Sequence, residues 1–190
     1  MPYQKPPIGS KLNYGHPFAL GLVGCWLFNE GSGDIVFDHS GNSNHGTING
    51  IAAQTIISGW NAGPYGTQLL LDGSNDYVSF LDSPVLERRT KDFTVVLNVY
   101  TNAMGGVGTY MRLVEMGSVV AGYSSFVIYL NGTSLLLQSS SNGTSWNIAN
   151  GTSFGTMPLK HRSRVVLTRA GSLFSAYLNT CPGLLCSLIW

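Results

Sequence analysis

The segment Gly21–Gly50, which reads GLVGCWLFNEGSGDIVFDHSGNSNHGTING, decides how the rest of the chain is interpreted. Its apolar run Leu22–Phe28 predicts a β-strand, and a turn rich in Gly and Ser follows it. Ile35–Phe37 predicts a second, short strand that leads into the polar loop Asp38–Gly46. Short strands separated by tight, glycine-containing connections are typical of an all-β protein.

Strand and turn signals continue along the chain. Asn131-Gly132 lies between two apolar runs and is a strong hairpin signal, and Ala170-Gly171-Ser172 predicts another hairpin. Gln68–Leu71 and Tyr77–Phe80 are predicted strands on either side of the turn Asp72–Asn75. These signals recur at the short spacing expected of strands joined by turns.

The segment Phe93–Tyr100 predicts which side chains of a strand face the core. Successive side chains of a strand leave opposite faces, so one face should carry Phe93, Val95, Leu97 and Val99, and the other Thr94 and Asn98. No long amphipathic helix is evident, and a short turn is expected near Leu86–Lys91. We therefore predict an all-β fold, an antiparallel two-sheet sandwich or jelly roll.

Residues Met1–Leu20 are predicted to form an extended arm, because several prolines fix φ and remove backbone donors. Its apolar side chains, Ile8 and Tyr14 among them, are expected to pin it onto a body, either its own or a neighbour's. Met1–Ser10 lacks the apolar region of a secretion signal. No apolar run approaches the roughly 20 residues of a membrane span, so membrane insertion is not expected.

The composition restricts the classes of partner. The net charge is +1 and only 10% of residues are charged, which disfavours nucleic-acid binding. The small basic clusters Arg88-Arg89 and Lys160–Arg164 are interpreted as solvated loops. Among the three cysteines, Cys25 lies in an apolar pattern and is expected to be buried, whereas Cys181 and Cys186 are either bridged across a short loop or free.

Several motifs occur in a fixed order along the chain. They are Gly21-Leu22-Val23-Gly24-x-Trp26 with Asn29–Gly33 and Asp38–Gly46, then Leu71–Val78, Phe93-Thr94-Val95, and His161–Arg169 with Tyr177-Leu178-Asn179. Together they resemble the concanavalin A-like lectin/glucanase superfamily, specifically its laminin-G-like jelly-roll members. The resemblance implies a jelly-roll domain over residues 21–190 that follows the arm of residues 1–20. The leader Lys5–Ser10 is similar to leaders of phage-encoded versions, which implies a virion protein.

The sequence departs from this family near its end. Thr180 stands where the family has Gly, and the apolar stretch Leu184–Trp190 stands where a last strand with an acidic pair is expected. Either this stretch supplies a substitute strand or one sheet edge is open, and an open edge favours pairing with another chain. We therefore expect self-association or contact with other virion proteins.

The loop Asp38–Gly46 is the candidate metal site. The resemblance implies calcium binding at Asp38 and, more loosely, at Asn42 and Asn44, and calcium takes six to eight oxygen ligands. The alternative is that Asp, Asn and Gly form turns and bond their own backbone. His39 and His45 flank the loop, but no further zinc ligand lies nearby in the sequence.

Aromatic residues in polar, loop-like settings are the candidate glycan contacts, because aromatic faces stack on sugar rings. They are Trp60, Tyr65, Tyr123 and Trp146. The competing interpretation is that they close the ends of the core, where Trp26 is also expected.

Catalysis is not expected. A glycosidase needs two carboxyl groups about 5–10 Å apart, and Glu30, Glu87 and Glu115 form no acidic cluster in the sequence. We therefore predict a non-catalytic carbohydrate-binding or adhesion module on a phage virion or cell surface. The alternative is a structural virion protein, a decoration or tail-associated component without a glycan ligand.

Overall fold

The computed structural model of the protein describes residues 5–63, 65–86, 91–103, 105–117, 125–142 and 144–181. Across these ranges the protein is all-β, and the helical structure in them is one three-residue 3-10 turn, Pro17–Ala19. The predicted all-β class is therefore confirmed. Contacts divide the chain into two compact units, with the boundary after Leu86. No helix in the described residues is long and apolar enough to cross a membrane.

The first unit contains a three-stranded sheet and a separate hairpin. Its strands are β1 (Ile35–Val36), β2 (Gly46–Asn49), β3 (Gly59–Gly63), β4 (Gly66–Leu70) and β5 (Tyr77–Phe80). The sheet has the order β1-β2-β5, and β3 pairs with β4. The predicted turn Asp72–Asn75 therefore joins strands of two different sheets. Its carboxylates bond the local backbone: Asp72 accepts from the Ser74 amide (2.8 Å) and Asp76 from the Asp72 amide (2.9 Å).

The prediction of a continuous strand over Leu22–Phe28 is wrong. Only an isolated bridge between Trp26 and Asp38 is found there. Phe28 has a φ of 52°, which ends the extended conformation. The carbonyls of Leu22 and Val23 accept hydrogen bonds from asparagine side chains of the polar loop, so side chains replace the expected partner strand.

The arm is attached to the first unit mainly by polar contacts. Lys5 donates its Nζ to the carbonyls of Phe28 (2.8 Å) and Thr67 (2.7 Å). Tyr14 donates its hydroxyl to the His39 carbonyl at 3.1 Å. Ile8 is 69% exposed, so it does not pin the arm onto its own unit, and contact with a neighbour's body stays a prediction. The apolar side chains of a proline-rich extended segment have no regular face to bury, and its backbone and charged groups make the contacts instead.

The second unit is a seven-stranded, sandwich-like structure. Its strands are β6 (Phe93–Tyr100), β7 (Tyr110–Met116), β8 (Phe126–Asn131), β9 (Ser134–Ser139), β10 (Ala149–Thr156), β11 (Arg162–Ala170) and β12 (Leu173–Cys181). One sheet has the order β10-β9-β8-β7 and the other β12-β11-β6. Both predicted hairpins are confirmed, and each turn uses a left-handed glycine: Gly132 with φ 59° and Gly171 with φ 60°.

One apolar core joins the two sheets of the second unit. The fully buried side chains include Ile128 and Leu135 from one sheet and Val165 and Leu167 from the other. Phe93 of β6 stacks on a ring of the opposite sheet, that of Phe126, with centroids 5.0 Å apart. The burial pattern of β6 alternates strictly along the strand, which confirms the predicted facing of its side chains.

One buried hydroxyl of this unit is unsatisfied. Ser163 on β11 is fully buried, and its Oγ has no hydrogen-bond partner among the described residues. Ser139 on β9 is equally buried, but its Oγ donates to the Ser125 carbonyl at 2.8 Å. Burial of a hydroxyl without a partner costs free energy, whereas a satisfied one contributes stability. The two serines are therefore equally buried and differ in whether the hydroxyl has a hydrogen-bond partner.

We predict that Ser163→Ala raises the free energy of unfolding by about 1 kcal/mol, because it removes an unsatisfied polar group. Ser139→Ala should lower it by about 1 kcal/mol, because the Ser125 carbonyl loses one of its two donors and keeps the Ser140 amide. Urea denaturation followed by circular dichroism measures both variants against the parent protein. A Ser163→Ala protein less stable than the parent would contradict the prediction.

Candidate functional site

Asp38 organises the polar loop of the first unit. Asp38 is 8% exposed, and its carboxylate accepts four hydrogen bonds. Oδ1 accepts from the amides of Cys25 (2.9 Å) and Ser40 (2.8 Å). Oδ2 accepts from the Ser40 hydroxyl (2.7 Å) and the Asn44 amide (3.0 Å). One side chain thus joins the start of the loop, its end and the preceding segment.

Other polar side chains also hold the loop Asp38–Gly46 to the segment that precedes it. Asn42 and Asn44 donate their amide nitrogens to the carbonyls of Leu22 (3.1 Å) and Val23 (2.9 Å). Trp26 donates its Nε1 to the Asn44 carbonyl at 2.8 Å. The Asp38 amide donates to Nδ1 of His45 at 3.0 Å, so this ring nitrogen acts as an acceptor. Here the turn-forming residues bond the nearby backbone.

The ionisation of this cluster follows from its contacts. Burial alone would raise the pKa of Asp38, but hydrogen bonds from Ser40, Cys25 and Asn44 outweigh burial and hold the pKa below its ordinary value of 3.8. The pKa of the Cys25 thiol is raised, first by burial and second by the charge of Asp38. The cluster therefore holds a carboxylate and a protonated thiol at neutral pH, and the thiol is a poor nucleophile.

The carboxylate of Asp38 does not fit a calcium ion in this arrangement. Each of its oxygens is approached by two N–H or O–H donors, whose hydrogens lie where an ion would bind. The described residues contain no group of three His, Cys, Asp or Glu side chains that could hold a metal. The calcium site at Asp38, Asn42 and Asn44 stays a prediction from the resemblance, and it requires the loop to rearrange.

The predicted aromatic contacts have different environments. Trp60 on β3 is only 5% exposed and donates its Nε1 to the Gly33 carbonyl at 2.8 Å. It is a core residue with no face open to a sugar, which removes it from the glycan candidates. Tyr65 lies half-buried between β3 and β4, and Trp146 lies half-buried before β10. Tyr123 lies outside the described residues.

The glutamates are tied to local structure. Oε1 of Glu30 accepts from the Phe37 amide at 2.9 Å. Glu115 on β7 forms an ion pair with Arg112 at 3.1 Å. Glu87 lies outside the described residues. Glu30 and Glu115 belong to different units, and the absence of catalysis stays a prediction.

A more open surface lies on the second unit, on the outer face of the β6–β11–β12 sheet. Because one set of alternate residues packs into the core, the other set must face outward. This outer face carries Tyr100 and Val96 from β6 and Tyr177 from β12, which are 45%, 52% and 59% exposed. Three large apolar groups thus remain in solvent on a rigid sheet, which marks the face as a candidate interaction surface.

The central strand of the outer face supplies two cations. Arg162 lies opposite Tyr100 in the register, and Arg164 lies opposite Asn98. Nε of Arg164 donates to Oδ1 of Asn98 at 3.2 Å. Arg164 begins the predicted hairpin strand Arg164–Thr168 and lies within β11, whereas Arg162, which was interpreted only as part of a solvated loop, lies in the same strand. Three polar residues, Arg162 to Arg164, precede the apolar run Val165–Leu167, so no alternation in the sequence extends the strand to Arg162.

No family model, curated protein or solved structure matches the chain. The resemblance to concanavalin A-like domains therefore stays an expectation from the quoted motifs.

We predict that Asp38→Asn lowers the stability of the first unit by about 2–4 kcal/mol, because an amide cannot accept all four hydrogen bonds. Denaturation followed by fluorescence of Trp26 and Trp60 measures this loss. The matched control is Asp34→Asn at an exposed position, which should change stability by less than about 0.5 kcal/mol.

The stability lost in Asp38→Asn should depend on pH. The folded-state pKa of Asp38 is lowered, so its ionisation stabilises the fold above the ordinary value of 3.8. This contribution disappears as the pH falls through the folded-state pKa. The stability difference between the parent and Asp38→Asn should therefore shrink in acid, and a difference that grows below the ordinary pKa would contradict this.

We further predict that the melting temperature is the same with added calcium and with a chelator, because the Asp38 oxygens are already saturated. Differential scanning calorimetry makes the comparison, with magnesium as the control for ionic strength. A rise specific to calcium, lost in Asp38→Asn, would show that the loop rearranges to bind the ion.

Proposed function

We propose that the protein is a non-catalytic carbohydrate-binding module and that its ligand lies across the outer face of the β6–β11–β12 sheet. The observation that supports this most directly is the exposure of Tyr100 and Tyr177 on one side of a sheet whose other side is core. An aromatic ring held on a rigid sheet loses little conformational freedom when it stacks on a sugar.

The register gives the separation of the two tyrosines. Tyr100 lies opposite Arg162 and Tyr177 lies opposite Val166, on the two strands that flank β11. With about 3.4 Å per residue and about 4.8 Å between strands, the two Cα atoms are about 16–17 Å apart. A single sugar ring cannot reach both, so the ligand of this proposal is an oligosaccharide or a longer chain.

Polar side chains between the tyrosines suit the rest of such a ligand. Asn98 and Asn179 lie on either side of Arg164 in the register and are exposed. Amide groups both donate and accept hydrogen bonds, which matches the hydroxyl groups of a sugar. Aromatic stacking with a few polar contacts is a common design for binding small polar ligands.

The proposal also includes a more specific fold and a location for the protein. We propose the jelly-roll arrangement of concanavalin A-like domains, which the quoted motifs and the two-sheet core of the second unit support. A virion or cell-surface location is supported by the resemblance of the leader and by the low content of charged residues.

A second candidate is a structural virion protein without a glycan ligand. It is supported by strongly exposed apolar side chains in the first unit, namely Ile56 (88%), Ile57 (63%) and Leu81 (87%). Side chains of this kind gain free energy when another protein covers them, by about 25 cal/mol for each Å² removed from water.

We predict that an array of bacterial and algal polysaccharides identifies at least one ligand. Tyr100→Ala and Tyr177→Ala should each weaken its binding by about tenfold, since one aromatic contact contributes on the order of 1 kcal/mol. Tyr77→Ala is the matched control, because Tyr77 is 56% exposed but lies on β5 of the first unit.

The variants should keep the circular dichroism spectrum and melting temperature of the parent. An array without any signal would favour the structural role. A ligand whose affinity is the same for the parent, Tyr100→Ala and Tyr177→Ala would show that binding occurs elsewhere.

A further inference from the structure

We infer that strand β6 pairs antiparallel with β6 of a second copy of this chain. Each copy contributes three strands, and the joined sheet has the order β12-β11-β6-β6-β11-β12. This association goes beyond the proposed function and does not depend on it. It follows from the position of β6 at a sheet edge, from the regular, uncharged sequence of the strand and from the complementarity of that sequence with itself.

Strand β6 lies at the edge of its sheet. In the part of the chain that the structure describes, it pairs with β11 over its whole length and with no other strand. Alternate residues of an antiparallel strand bond one neighbour, and the residues between them direct their N–H and C=O groups to the other side. Half of the eight residues of β6 therefore present backbone donors and acceptors to a further strand.

The sequence of β6 contains none of the features with which proteins discourage edge pairing. Those features are charged side chains, prolines, bulges and very short strands. None of the eight residues from Phe93 to Tyr100 is charged or a proline. The register between β6 and β11 has no shift, so the free edge is long and regular.

Both ends of β6 are held on the side of β11. The Asp92 carboxylate accepts from the Gly171 amide at 2.6 Å, in the turn between β11 and β12. At the other end, the Thr101 carbonyl accepts from the Lys160 amide at 2.7 Å, and the Thr101 hydroxyl donates to the Pro158 carbonyl at 2.7 Å. These contacts fix the strand in an extended form, so it loses little conformational freedom when a partner strand binds.

The other edge strands among the described residues are less suited to pairing. β1, β3, β4 and β5 have five residues or fewer. β7 and β10 contain register shifts, and β7 carries the charged residues Arg112 and Glu115. β12 is long and uncharged, but it packs against β10 of the opposite sheet. β6 is therefore the edge that best fits another strand.

The partner that fits this edge is β6 itself. A two-fold axis sets two identical strands antiparallel, and residues directly opposite in such a pair lie on the same face of the sheet. With Leu97 at the axis, Val95 of one copy lies opposite Val99 of the other on the core side, and Val96 lies opposite Asn98 on the outer side. No like charges meet, because the strand has none. The pair uses both free β6 edges and closes as a dimer.

Sedimentation equilibrium of the full chain measures the association, and hydrogen–deuterium exchange locates it. We expect a monomer–dimer equilibrium. Exchange of the β6 amides should slow as the protein concentration rises through the range in which the dimer forms, because the outward amides gain carbonyl partners. Exchange of the β12 amides, at the other edge of the same sheet, should not change.

A charge placed on β6 tests the contact directly. Val96 is 52% exposed on the outer side of the strand, so Val96→Lys leaves the core intact and brings two like charges together near the two-fold axis. We expect the dissociation constant of the dimer to rise about tenfold. Asn179→Lys is the matched control, because Asn179 is exposed on β12 of the same sheet, and it should leave the constant unchanged. Melting curves check that both variants fold.

Several results would overturn the inference. One is a chain that stays monomeric at its highest soluble concentration. Another is an open series of larger oligomers, which indicates pairing of unlike edges. A third is a dimer whose protection grows at β12 or in the first unit, or which Val96→Lys and Asn179→Lys weaken equally. The last is slow exchange of all β6 amides at every concentration, because residues of the same chain would then already cover this edge.

Discussion

Alternate side chains of a strand leave opposite faces of its sheet, and the second unit depends on this constraint. Once Phe93, Val95 and Leu97 enter the core, the residues between them have no choice but to face outward. The same holds for the residues that alternate with Val165 and Leu167 on β11. The packing of the core therefore determines which residues form the outer face. The same strands supply both the core and the proposed ligand-binding surface.

The first unit is organised by a charge where the second is organised by apolar contact. Asp38 gathers backbone donors from both sides of the polar loop, and the segment before the loop makes only one isolated strand bridge. A buried carboxylate is costly unless each oxygen is satisfied. Four donors satisfy the two oxygens of Asp38. They also explain why this loop, which has the composition of a metal site, has a structural role in this conformation.

Much of the second unit could be predicted from the sequence, because its signals are local. The Asn131-Gly132 turn and the alternation in β6 each follow from a few neighbouring residues. Strand β10 was missed because its glycines hide any alternation. A Cβ at Gly155 would lie 2.8 Å from Cδ2 of Leu178 on β12, so a larger residue here would displace a side chain that is distant in the sequence. The burial of Trp60 and the exposure of Tyr177 likewise depend on which strands become neighbours.

The ammonium group of Lys5 has a consequence for the chemistry of the arm. Its three N–H donors serve two backbone carbonyls that belong to segments far apart in the sequence, so it acts as a cross-link that contains no covalent bond. A reagent that acylates amines would remove both the charge and the donors at once. Acylation of Lys5 would therefore break both contacts without altering a strand and leave this end of the arm held by the hydrogen bonds of the Lys5 amide to Tyr65 and of Asn29 to the Pro6 carbonyl. The exposed amine of Lys11 would react in the same solution as an internal reference.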